Sequence, residues 1–295
     1  MSKIKFKFDP NQEHQIKAVN SVVKLFDGFS QELIKSNLFT ELVPNIGLYE
    51  EFDTMWLSGN LNDIQEQNNL SKNPNLVYDD GSMLEGVNPD SHRFPCFTVE
   101  METGTGKTYA YLRTVYELKK HYGFRKFIIV VPSVAIYEGI IKAFEITKEH
   151  FKTLYGNETT VLIKYDGQNI SCVKNFAVSP YITLMVITID SFNGAKNKIY
   201  KVTEKLPGGK KPYEYIQDTR PILILDEPQN YLSPKSREAL RTLKPLFGLN
   251  YSATPVEKPN PVYRLTPVDA FKMNLVKKIQ VEGITEEQNV NDKNL

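Results

Sequence analysis

The segment "METGTGKT", Met101 to Thr108, sets two glycines, a lysine and a threonine at spacings that suit phosphate. Gly104 and Gly106 let backbone N–H groups turn inward around an anion, with Thr103 and Thr105 between and beside them. A helix leaving the loop adds the partial positive charge of its first amides. Lys107 is suited to the β and γ phosphates of a nucleotide, and Thr108 to Mg²⁺. The usual pattern opens with glycine where this chain has Met101. A plain glycine-rich strand-to-helix turn is the bland reading of the same residues.

A second stretch weighs against it. In "PILILDEPQ" four apolar residues end in Asp226 and Glu227. Carboxylates at the end of a buried strand stand where open α/β sheets bind ligands. Asp226 suits the metal, and Glu227 suits orienting and deprotonating a water. Lys107, Asp226 and Glu227 are therefore the candidate catalytic residues, and Thr108 and Asp226 the candidate metal ligands. A solvated strand end is the alternative for Asp226 and Glu227 taken without the loop.

These residues need a frame that brings strand ends together. "CFTVEM", "KFIIVV", "TVLIKY", "ITLMVITI", "PILILD" and "GLNYSA" read as short buried strands. They alternate with "KTYAYLRTVYELKKHY", "SVAIYEGIIKAFEITKEH" and "SPKSREALRTLKPLF", which read as helices. That alternation predicts an α/β fold, a mostly parallel sheet with helices on both faces. Residues 1–29 carry a helix that Asp9 and Pro10 are placed to start. Residues 30–95, rich in Asn, Asp and Ser, read as an insertion of short helices and loops. Residues 196–220 carry seven Lys/Arg against three Asp/Glu and read as a solvated loop, with DNA phosphates as the other option.

"METGTGKT", "DEPQ" and "SATP", in that order, resemble motifs I, II and III of superfamily 2 helicases and translocases, whose first motif commonly lacks the leading glycine. "TVEMETGTGKTYAYLRTVYELKKHYGFRKFIIVVPSVAIYEG" and "NPVYRLTPVDAFKMNLVKKIQVEGI" resemble the restriction (Res) subunit of Type III restriction–modification enzymes more closely still. The resemblance covers the N-terminal helix and nearly all of 96–284, which it implies is a RecA-like phosphate-loop NTPase domain, the first of two motor domains. It implies ATP and Mg²⁺ as cofactors, and double-stranded DNA and a modification methyltransferase (Mod) subunit as partners. Gln15 resembles the glutamine that reads adenine, and is otherwise an exposed helix residue. Pro132 and Ser133, and more weakly Thr188 and Ser191, resemble DNA-contacting positions; Ser133 also fits a simple helix cap. Ser252 and Thr254 resemble hydroxyls that couple the carboxylate site to DNA, with Gln229 beside them in "DEPQ". The stretch after "SATP", with a polar tail at 285–295, is too short for a second motor domain or a nuclease. The chain is thus expected to be one part of a longer protein. Should it hydrolyse ATP alone, an arginine of this chain, such as Arg237 or Arg241, would have to complete the site.

Composition excludes little. Formal charge is +1, so nucleic-acid contact must be local. Two distant cysteines, Cys96 and Cys172, suit a reducing cytoplasmic protein. No apolar run is long enough to span a membrane. A Type I restriction or repair translocase, a non-motor nucleotide-binding module and a small-molecule kinase are the other readings; the kinase has no visible acceptor site.

Overall fold

Along one strand, Phe127, Ile129 and Val131 face one hydrophobic core while Ile128 and Val130 face another. A strand apolar on both sides must be covered on both sides. The computed structural model, described for residues 7–33, 41–47, 52, 54–82, 84–87 and 92–277, shows how. The strands are β1 (Tyr78–Asp79), β2 (Phe94–Met101), β3 (Lys126–Val131), β4 (Thr160–Lys164), β5 (Ile182–Thr188), β6 (Ile222–Asp226), β7 (Phe247–Ser252) and β8 (Pro261–Leu265). They form one sheet in the order β1-β2-β7-β6-β3-β5-β4, with β8 also on β2. Every pairing is parallel except β1 with β2.

Helices α1 (Glu13–Lys24), α2 (Met55–Gln67), α3 (Lys107–Tyr122) and α4 (Val134–Leu154) cover one face. Helices α5 (Cys172–Val178), α6 (Pro212–Thr219) and α7 (Pro234–Thr242) cover the other. A last short helix, α8 (Pro267–Lys272), follows β8. The expected α/β architecture, parallel sheet with helices on both faces, is the one observed.

Three expectations need correction. Helix α1 begins at Glu13, later than Asp9 and Pro10 suggest; the Asp9 carboxylate instead accepts from Asn11 N (2.9 Å) in the turn before it. Helix α7 stops at Thr242, because Lys244 takes a left-handed φ of 49° and Pro245 cannot extend a helix. Residues 196–220 are not a solvated loop. They contain α6, and Ile199, Tyr200, Leu206, Tyr213 and Ile216 are buried in the second core. Their lysines disguise an apolar residue every few positions. The described part of 30–95 holds a 3₁₀ turn (Gln31–Leu33), α2 and β1, and is built into the domain. Asn45 is fully buried and its amide bonds Arg125 N, Lys126 N, Lys126 O and Arg220 O (2.7–3.1 Å). At the end of α2, Gln65 and the capping residue Asn68 donate to the carbonyls of Pro261 (3.1 Å) and Val262 (2.6 Å). The tail at 285–295 lies outside the described residues.

Candidate nucleotide site

Because β2, β7, β6, β3 and β5 are parallel neighbours, the loops that leave them share one edge of the sheet. That edge carries, in order, the 102–106 loop, Ser252–Thr254, Asp226–Glu227, Pro132–Ser133 and Thr188–Ser191.

Gly104 (φ 82°) and Gly106 (φ 91°) are in the left-handed region, where a side chain is strained. At Gly106 a Cβ would also lie 2.2 Å from Gln15 Nε2, the end of a flexible side chain, so it is the left-handed φ that demands glycine there. Thr103 and Gly104 form the exposed bend, and Thr105 is buried beneath it. Thr105 Oγ1 donates to Glu102 O (2.6 Å) and closes the turn. The Thr105 carbonyl accepts from Gln15 Nε2 (3.0 Å) and from His14 Nε2 (2.8 Å). A carbonyl only accepts, so His14 carries its proton on Nε2. One N–H of Gln15 is thereby spent on the loop; its other N–H and Oε1 have no partner among the described residues. Gln15 is buried rather than an exposed helix residue. Met101 is fully buried in the core, so the cradle begins after the strand.

Lys107 Nζ and Glu227 Oε1 form an ion pair. Burial pulls the Lys107 ammonium below the usual lysine range, against the opposing pull of Asp226 and Glu102. Asp226 is buried, which raises its carboxyl above the ordinary range while Lys107 works the other way. Its Oδ1 is buried without a hydrogen-bond partner. A buried, unpaired carboxylate oxygen is costly in a finished fold and is what a metal ligand leaves behind. Among the described residues no group of three or more His, Cys, Asp and Glu gathers. A divalent ion here would rest on Asp226, Thr108 and ligand oxygens, as Mg²⁺ commonly does.

Glu227 is held in the left-handed region (φ 51°, ψ 56°) and its N donates to Tyr251 O (2.9 Å). That bend swings its carboxylate towards the neighbouring strand end. Oε2 accepts from Gln229 Nε2 (2.7 Å) and Ser252 Oγ (2.7 Å). Thr254 joins through its backbone, whose N donates to Ser252 Oγ (3.1 Å), rather than through the hydroxyl. Gln229 and Ser252 thus converge on the Glu227 carboxylate, and Thr254 reaches it only through Ser252.

Ser133 caps α4, its hydroxyl accepting from Ile136 N (3.4 Å), and stays exposed beside Pro132. Thr188 and Ser191 hydrogen-bond each other (2.7 Å). Both pairs lie on the shared edge, on the loops after β3 and β5, without joining the Lys107–Glu227 centre. Arg237 and Arg241, the two candidates for completing it, are committed elsewhere. Arg237 pairs with Glu257, and Arg241 is buried against Asp79 (2.5 Å) and Ser82 O (2.9 Å). The residue sequence reading missed is His14. Nothing in its spacing marks it; only the docking of α1 on the loop does.

A model of the Type III restriction enzyme res subunit matches residues 9–257. The chain belongs to the Type III restriction enzyme res-subunit family. Over 93% of its length it is 29% identical to the Type III restriction-modification enzyme EcoPI Res subunit of Escherichia phage P1. Over 93% it is 28% identical to the EcoP15I Res subunit of Escherichia coli. In both cases it spans 29% of the relative's length. The res-subunit match takes in 30–95, which the motif resemblance left out. Among solved structures, a nuclease-deletion mutant of the Type ISP restriction-modification enzyme LlaGI, in complex with a DNA substrate mimic, aligns with TM-score 0.40 and 14% identity. It covers 61% of this chain and 18% of that one. No helix among the described residues is long and apolar enough to cross a membrane.

Proposed function

We propose that this chain is the first ATP-binding motor domain of a Type III Res subunit, a DNA-dependent ATPase that moves or switches on DNA before cutting it. The observation that carries this reading is the tie between Glu227 and Ser252. It links the group suited to activate water to a loop on the edge where DNA-contacting positions are proposed.

In this reading Thr103–Thr108 cradle ATP phosphates through loop and helix amides, and Gln15 reads the adenine edge with its remaining N–H and Oε1. Thr108 and Asp226 would hold Mg²⁺, which neutralises phosphate charge when bound. Lys107 exchanges its Glu227 partner for phosphate oxygens. Glu227, released, orients a water and takes its proton. Ser252 and Gln229 hold that carboxylate, so a shift of the Ser252–Thr254 loop changes its aim. Pro132, Ser133, Thr188 and Ser191 contact the DNA backbone. The whole protein adds a second motor domain that closes on ATP, a nuclease and a Mod partner, and works in the cytoplasm; the two buried free thiols suit that compartment. Calorimetry of Mg-ATP on this chain tests the core of the proposal, with saturable binding expected. No binding of any nucleoside triphosphate would overturn it.

A further inference from the structure

Helix α3 has Lys107 at one end; at the other lies a polar depression of about 560 Å³. Thirteen residues at 1.5 Å each put the two about 20 Å apart. Lys119 and Lys120 come from the last turn of α3. Gly123, at φ 80°, reverses the chain so that Arg125 returns beside them before β3. Tyr155 and Glu158, at the end of α4 and beyond, form the facing wall. Tyr155 is fixed there by stacking on Tyr116 (4.9 Å, 14°) and by donating to Glu117 (2.7 Å).

Two lysines at a helix C-terminus complement its dipole and need no ligand. Arg125 lies past the helix and has no such explanation. None of the three cations has an ion-pair partner among the described residues. Arg125 Nε is shut off from solvent without a hydrogen-bond partner, so only the other atoms of this side chain, which lines the depression, can meet a ligand there. Glu158 is the one carboxylate of the lining, so three cations against one leave an excess of two positive charges. Glu117, nearby, is engaged by Tyr155 and by His121 (3.4 Å). A planar guanidinium beside two ammonium groups matches the oxygens of phosphate. The concave shape and volume suit a small molecule.

We propose that this depression is a second oxyanion site, separate from the phosphate loop, that takes a compact polyphosphorylated ligand. Duplex DNA carries the same chemistry, so the test must separate the two sources. Tripolyphosphate is titrated calorimetrically, at physiological salt, into the 295-residue chain carrying Lys107→Ala, which silences the loop. One saturable site is expected. Arg125→Gln should weaken it by about tenfold or more, as loss of a charged partner does. Lys120→Glu, at an exposed position that leaves the fold intact, should do the same, with circular dichroism unchanged. Absence of saturable binding overturns the proposal, as does binding indifferent to both variants. Binding of a short duplex but not of tripolyphosphate overturns the compact ligand. A failed phosphate loop leaves this result untouched, because the loop is already silenced.

Discussion

Lys107 and Glu227 are paired with each other, the phosphate-loop lysine on the carboxylate proposed to activate water. On the proposed reading, nucleotide and Glu227 compete for one ammonium group. Both side chains are only partly exposed, at 16% and 21%, and the upper end of the range for accessible pairs puts the pair at about 1 kcal/mol. Glu227→Gln should thus bind Mg-ATP about fivefold tighter while losing turnover. Lys107→Ala should abolish binding. Equal affinities for wild type and Lys107→Ala in calorimetry would remove the loop assignment.

Helix α1 grips the loop through two donors on one carbonyl, and the two variants should differ. Gln15→Ala should erase the preference for ATP over GTP, at about 1–3 kcal/mol for a lost buried polar contact. His14→Ala leaves the base contacts alone and should weaken both nucleotides equally. Competition titrations distinguish them; an unchanged ATP/GTP ratio in Gln15→Ala rules out the adenine role.

Hydrolysis needs positive charge on the far side of the γ-phosphate, and Arg237 and Arg241 are both committed to carboxylates. Such an arginine is worth roughly 10³–10⁵ in rate. The isolated chain should have negligible ATPase activity with or without DNA, and a longer chain that includes a second motor domain should be active. Robust DNA-stimulated turnover by the monomeric 295-residue chain would refute this half-site view.

Ser252→Ala removes a 2.7 Å bond to Glu227 but touches no phosphate. In the longer chain it should keep ATP affinity and lose most of the DNA stimulation. A parallel fall in basal and stimulated rates would show that Ser252 serves only the carboxylate.

Lys126 is fully buried, donating to the carbonyls of Phe176 (2.5 Å) and Ser179 (2.6 Å), and burial pulls it down to about 7 from 10.5. Below the lower value both folded and unfolded chains hold the proton and the fold bears the whole cost of the buried charge. Between the two values only the unfolded chain keeps it, so stability rises with pH, by up to about 1.4 kcal/mol per unit. The melting temperature of wild type minus that of Lys126→Met should therefore increase from pH 7 to 9. A flat difference would mean that the two carbonyls keep the ammonium charged.

The alternating strands and helices from β2 to β7 were legible because local chemistry specifies them. β-branched runs, glycine turns and strand-end carboxylates act over a few residues, and "METGTGKT" and "DEPQ" carry their roles at fixed spacing. Residues 196–220 misled because charge dominates their composition, while burial depends on a few apolar side chains meeting a distant sheet face. The parallel order of the strands decided the rest. It set Ser252 beside Glu227 across 25 positions of sequence and drew Arg237 and Arg241 away from the site. The docking of α1 brought His14 and Gln15 onto Thr105 from 91 and 90 residues away. Such contacts depend on three-dimensional register, which no local pattern of residue types encodes.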